Sequence, residues 1–96
     1  MGTATASTPP TVATVTVNNN FFSPMDVVIQ VNHAVTWTWN SGGVTHTVTF
    51  TAGPSPLPAE TIQSTGSHST TFTTVGKYSY VCLIHAGMTG TVTVVN

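Results

Sequence analysis

From Val12 onward the chain alternates apolar and polar residues one by one, and that alternation limits its fold more than any other feature. Val15 and Val17 alternate with Thr14 and Thr16, Val35 with Trp37 and Trp39 fall in one phase, and so do His46, Val48 and Phe50. Successive side chains on a strand point to opposite faces, so a period of two makes one apolar and one polar face. The alternating positions are mostly Val and Thr, which are stiff at χ1, poor in helices and well suited to strands. No heptad and no sustained helical period competes. Strands are predicted over residues 12–17, 27–31, 35–39, 46–50, 69–73, 77–82 and 91–95. Asn18-Asn19-Asn20, Asn32-His33, residues 40–43 and Val75-Gly76 read as the turns between them. Residues 51–66, with Gly53, Pro54, Pro56, Pro58 and Gly66, predict a long loop with a short helical turn near Glu60. About seven to eight short strands at this spacing predict an all-β sandwich or barrel.

Ninety-six residues make one domain. Residues 1–11 are small and polar and end near Pro9-Pro10, which predicts a flexible N-terminal lead ahead of a single domain over 12–96. With 40% hydrophobic residues the chain can build a core. A domain of this size is marginal without a further tie, and a bound metal is one such tie.

Charge excludes whole classes of function. Asp26, Glu60 and Lys77 are the charged residues, Arg is absent, and the net charge is −1. Nucleic-acid binding needs clustered Lys and Arg to displace counterions, and attraction to an anionic membrane needs the same, so neither partner is expected. No run approaches the ~20 apolar residues of a membrane helix, so no membrane insertion is expected. The opening Met-Gly-Thr-Ala-Thr-Ala-Ser has no basic region and no apolar run, which suits a mature form whose export signal has been removed. Charged residues make up 3% of the chain against about 25% in ordinary soluble proteins, the mark of a charge-depleted variant.

The chemistry concentrates in Tyr78-Ser-Tyr-Val-Cys82-Leu-Ile-His85-Ala-Gly-Met88-Thr-Gly90. Cys82 is the single cysteine, which rules out an internal disulfide and leaves a free thiol, a nucleophile or a metal ligand. Cys82, His85 and Met88 stand three residues apart in a loop between two predicted strands. Thiolate and thioether are soft ligands and imidazole is intermediate, a set that suits copper in both oxidation states. His46, at the start of a strand after a Gly-containing loop, is the candidate for the remaining ligand. Two imidazoles and one thiolate with a weak axial Met make the electron-transfer copper pattern.

These residues resemble the cupredoxins, the small blue copper proteins, and especially the amicyanin- and plastocyanin-like branch. The likeness runs from about Val15 to Val95. Phe22-Ser-Pro24 with Val27-Val-Ile29 is similar to the family's early strands. Val35-Thr-Trp37-Thr-Trp39-Asn40 followed by His46-Thr-Val48 is similar to the segment carrying the first His ligand. Gly76-Lys-Tyr78-Ser-Tyr80-Val-Cys82 with His85 and Met88 is similar to the ligand loop, in its short amicyanin-type form. The resemblance implies a Greek-key β-sandwich or barrel, one copper ion held by His46, Cys82, His85 and Met88, one-electron transfer between redox partners, and export to the periplasm or cell exterior. Two positions depart from the pattern. Thr47 stands where many relatives have Asn, at the neighbour that ties the two ligand loops together, and Asn32-His33 stands where relatives often have a Gly-containing turn.

A plainer reading competes with each of these. A lone buried Cys is usually an inert small hydrophobe, and Met fills core gaps, but the Cys-x-x-His-x-x-Met context favours ligation. His33 and His68 have no partner at ligand spacing and read as surface residues, Met25 as core or loop packing, Trp37 and Trp39 as core. Cys82 lacks a general base other than the proposed ligands, a second Cys is absent, and no second His cluster is available, so an enzyme is not expected. Ile84 and Ala86-Gly87 flank His85 and predict an apolar patch where redox proteins dock on a monomer with little electrostatic steering. A copper-storage module and a structural sandwich are the alternatives, and zinc can enter the same site in recombinant material.

Overall fold

The structure, a computed structural model, describes residues 8–96, so positions 1–7 of the predicted lead lie outside the described residues. Nine strands run in order: β1 (Ala13–Asn18), β2 (Phe21–Ser23), β3 (Asp26–Gln30), β4 (His33–Trp39), β5 (His46–Ala52), β6 (Thr61–Gln63), β7 (Ser67–Phe72), β8 (Gly76–Val81) and β9 (Thr89–Val95). They form two sheets, ordered β2-β1-β4-β7 and β3-β9-β8-β5-β6. The pairs β1–β4 and β3–β9 are parallel, and the others antiparallel. The expected all-β sandwich is therefore present, with two more strands than the seven itemised from the alternation. The additions, β2 and β6, are three residues each, too short for a period-two pattern to declare itself. The helical turn expected near Glu60 is replaced by β6, because Thr61–Gln63 pairs with the first residues of β5. Pro10, near the start of the described chain, accepts a hydrogen bond from the Gln30 amide at 2.7 Å.

The alternation does what the sequence predicts. Val15, Val17, Val35, Trp37, Trp39, Val48, Phe50, Tyr78, Tyr80, Val92 and Val94 all face the core between the sheets. Edge-to-face aromatic contacts fill its centre: Phe22–Tyr80 at 4.7 Å, Trp37–Tyr80 at 5.4 Å and Phe72–Tyr78 at 5.0 Å between ring centroids. Such pairs add roughly 0.5–1.5 kcal/mol beyond their buried area. Gly90 on β9 sits so close to Tyr80 that a Cβ there would overlap the phenol ring. Tyr80 thus fixes which residue its neighbour strand can carry.

Tyr78 and Tyr80 on β8 share one phase with Cys82, the first residue after the strand, so the strand that fills the core also leads Cys82 inward at the end of the sandwich. On β5, His46, Val48 and Phe50 do the same from the opposite direction. The β5–β8 register pairs Thr49 with Val81. Continued past that pair, an antiparallel register sets Thr47 against Leu83. Strand pairing alone thereby brings His46 and Cys82 to one end of the molecule.

The Tyr80 hydroxyl is buried and has no partner among the described residues. Burial pushes its pKa up from 10.0 to about 12. A folded-state pKa above the unfolded one gives stability that is complete below the unfolded value and lost as pH rises through the folded one. Denaturant midpoints are therefore expected to fall between about pH 10 and 12, at no more than about 1.4 kcal/mol per pH unit from this group. In Tyr80→Phe that loss is expected to shrink, and an undiminished alkaline loss would assign it to another group.

Candidate metal centre

Three loops meet at the Cys82 end: the β1–β2 turn at Asn19-Asn20, the β4–β5 loop over residues 40–45, and the β8–β9 loop over residues 82–88. In the last, the Cys82 amide donates to the Met88 carbonyl at 2.9 Å and the Met88 amide donates to the His85 carbonyl at 3.3 Å. The second bond closes a four-residue turn whose third residue, Gly87, has φ +82°. Turns of this kind need a positive φ at that position, which Gly supplies without strain. The three-residue spacing of Cys82, His85 and Met88 is thus the spacing of one tight loop.

The ligand-type atoms of His46, Cys82 and His85 lie within 4.8 Å of one another. Cys82 Sγ is 3.8 Å from His46 Nδ1 and 3.6 Å from His85 Nδ1, and the two imidazole centroids are 4.5 Å apart. His46 is fully buried and Cys82 nearly so, while His85 is half-buried. Met88 is buried at the foot of the same loop. His33 and His68 stand apart from this group: His33 Nδ1 contacts the Val31 carbonyl at 3.1 Å and His68 Nε2 the Thr70 hydroxyl at 3.4 Å. Of the two readings of Met25, core or loop packing, the core one fails: the side chain is exposed in the β2–β3 connection.

Thr47 makes the tie between the loops. Its backbone amide donates to Cys82 Sγ at 3.4 Å, and its hydroxyl accepts from the Leu83 amide at 2.9 Å. The same hydroxyl lies 3.0 Å from that of Thr49, which donates to the Glu60 carboxylate. Glu60 can only accept, so the bonds run in one direction: Leu83 to Thr47, Thr47 to Thr49, Thr49 to Glu60. Burial works to raise the Cys82 pKa, but hydrogen bonds from the Thr47, Ile84 and His85 amides outweigh it. The thiol is held below its ordinary value of 9.0, in favour of the thiolate that binds metals.

One contact was not legible in the sequence. His46 Nε2 lies 3.0 Å from Asn19 Oδ1, across 27 residues of chain. The Asn18-Asn19-Asn20 run signals a turn and gives no sign of a histidine partner.

Comparison with known proteins agrees with this geometry. Residues 11–95 match the family of copper-binding proteins described as plastocyanin/azurin. The chain belongs to that family. As a cupredoxin it is 37% identical over 84 residues to plastocyanin from Scenedesmus fuscus, covering 76% of this chain and 85% of that one. It is 34% identical over 76 residues to amicyanin-alpha from Methylorubrum extorquens strain AM1, covering 76% of this chain and 63% of the relative. Its fold superposes on a purple cupredoxin from Nitrosopumilus maritimus with a TM-score of 0.74 at 28% identity, covering 86% of this chain and 99% of that one. This cupredoxin's cofactor is copper. Its donor set fits such an ion, with a soft sulfur donor flanked by two imidazole nitrogens in one cluster.

The Thr47 tie is testable without metal. Thr47→Val keeps the shape but removes the acceptor for the Leu83 amide. It is expected to destabilise the metal-free protein by about 1–3 kcal/mol in chemical denaturation. An unchanged midpoint would show that the hydroxyl does not hold the loops together.

Proposed function

We propose that this cupredoxin carries single electrons between redox proteins, with His46, Cys82, His85 and Met88 as ligands to one copper ion. The observation that carries the reading is the convergence of two imidazole Nδ1 atoms on the one thiol sulfur. Bound copper supplies a one-electron couple between its two oxidation states. The protein supplies placement. His46 is held at the start of β5, and Cys82, His85 and Met88 by a loop closed on itself directly after β8, so the donor positions are set by the fold. Thr47 N–H rests on the sulfur, where a hydrogen bond withdraws electron density and tunes the potential.

His85 is the least buried of the clustered residues, and Leu83 and Ile84 beside it are 64% and 53% exposed. Val44 and Phe21, also exposed, lie in or beside the other loops at this end. In this reading the His85 edge is the electron port, and the surrounding apolar patch docks redox partners on a monomer. Work outside the cytoplasm, in the periplasm or at the cell exterior, belongs to the same reading, and cell fractionation tests it. The storage alternative needs a readily exchanged ion, which the burial of His46 and Cys82 disfavours. The same fold also forms part of larger proteins, since it superposes on 25% of a copper-containing nitrite reductase chain from Thermus scotoductus.

One equivalent of Cu(II) is expected to give an intense visible charge-transfer band that Cys82→Ser abolishes while the protein stays folded. A folded protein without that band would overturn the thiolate assignment. Electron self-exchange between oxidised and reduced copies, read from NMR line widths, is expected to change little between low and high salt, because long-range charge is nearly absent. A steep fall with added salt would place docking on charged groups.

A further inference from the structure

We infer that Asn19 is a positioning residue: its side-chain amide fixes the tautomer of His46, and so decides which ring nitrogen faces Cys82. The inference rests on the ligand reading above for its consequence, but its geometry stands apart from any metal.

Asn19 occupies the two-residue turn between β1 and β2, with Asn20 beside it at φ +75°. Its Nδ2 donates to the Ser41 carbonyl at 3.2 Å. A carbonyl can only accept, so this bond settles which end of the amide is nitrogen. Oδ1 must then be the atom that faces His46 Nε2 at 3.0 Å. An amide oxygen can only accept, so Nε2 carries the hydrogen and the neutral ring has its lone pair on Nδ1. Nδ1 is the nitrogen that lies 3.8 Å from Cys82 Sγ. Ser41 is itself held, being 3% exposed with its hydroxyl donating to the Val44 carbonyl at 2.7 Å. The Val44 amide donates back to the Ser41 carbonyl at 3.2 Å. The β4–β5 loop therefore presents a fixed acceptor to Asn19, and Asn19 presents a fixed acceptor to His46.

His46 is 0% exposed. A buried ring N–H without a partner is costly, so in the absence of Asn19 Oδ1 the proton has reason to move to Nδ1, where it would block the metal-facing lone pair. Removing such an outer partner typically weakens metal binding 10–100-fold. Asn19 is not among the residues with positive φ, so Ala fits its backbone, and the turn keeps Asn20.

The direct test reads the tautomer by long-range ¹H–¹⁵N correlation on the ¹⁵N-labelled metal-free protein at about pH 9, above the ordinary imidazole range. The wild type is expected to show His46 as the Nε2–H form. Asn19→Ala, confirmed folded by its amide spectrum, is expected to show a substantial Nδ1–H population and to bind Zn(II) at least about 10-fold more weakly in competition with a chelator. Asn19→Asp keeps an acceptor oxygen towards Nε2 and is expected to restore the Nε2–H form. A folded Asn19→Ala protein with the wild-type tautomer and unchanged Zn(II) affinity would overturn the inference and leave Asn19 a turn residue. Failure of the copper reading would show separately, as a missing Cu(II)–thiolate band in a wild type whose tautomer is as described.

Discussion

The structure depends on how β5 and β8 are joined at their meeting end. The antiparallel register of Thr49 with Val81 sets the two strands against each other, and Thr47 completes the join with two bonds of different kinds. Its amide reaches the Cys82 sulfur, and its hydroxyl receives the Leu83 amide. One residue thus links the strand that begins with His46 to the loop that carries Cys82 and His85. The family resemblance implies an Asn at this position. In this chain the hydroxyl accepts from Leu83 and donates a hydrogen bond to Thr49, which donates one to Glu60. The departure at Thr47 therefore preserves the tie while extending it to one of the chain's two carboxylates.

The scarcity of charge has a structural counterpart. The outward positions of the β2-β1-β4-β7 sheet pair hydroxyls across strands: Thr14 with Thr36, Thr16 with Thr38, Thr36 with Ser69. The Thr36 and Ser69 hydroxyls lie 2.7 Å apart. Such cross-strand pairs stabilise a sheet modestly where other proteins place ion pairs, and exposed ion pairs are themselves worth little. The fold thus gives up little stability by lacking charge. In the proposed reading, recognition at the His85 end then relies on apolar contact from Leu83 and Ile84.

Much of this was legible in the sequence, for identifiable reasons. The period-two runs locate the long strands because burial of one face demands them, and the same phase that puts Tyr78 and Tyr80 in the core puts Cys82 inward. The Cys82, His85 and Met88 spacing is a local property of a closed loop, so it is visible in one line of sequence. The alternation showed neither β2, which only the family resemblance around Phe22 suggested, nor β6, since three residues carry no period and their pairing depends on partners elsewhere. Asn19 was not legible either. Its contact with His46 depends on a turn and a loop meeting at one end of the sandwich, and turn chemistry already accounts for an Asn at that position.

The central claim is that the fold, through β5, β8 and the closed 82–88 loop, fixes the donor atoms in an arrangement that serves copper in both oxidation states. Copper-edge X-ray absorption on the oxidised and reduced protein tests it most directly. The expected result is one sulfur and two nitrogen neighbours in both states, with only small changes in their distances. Loss of the sulfur neighbour, or a change in the number of close ligands on reduction, would contradict it.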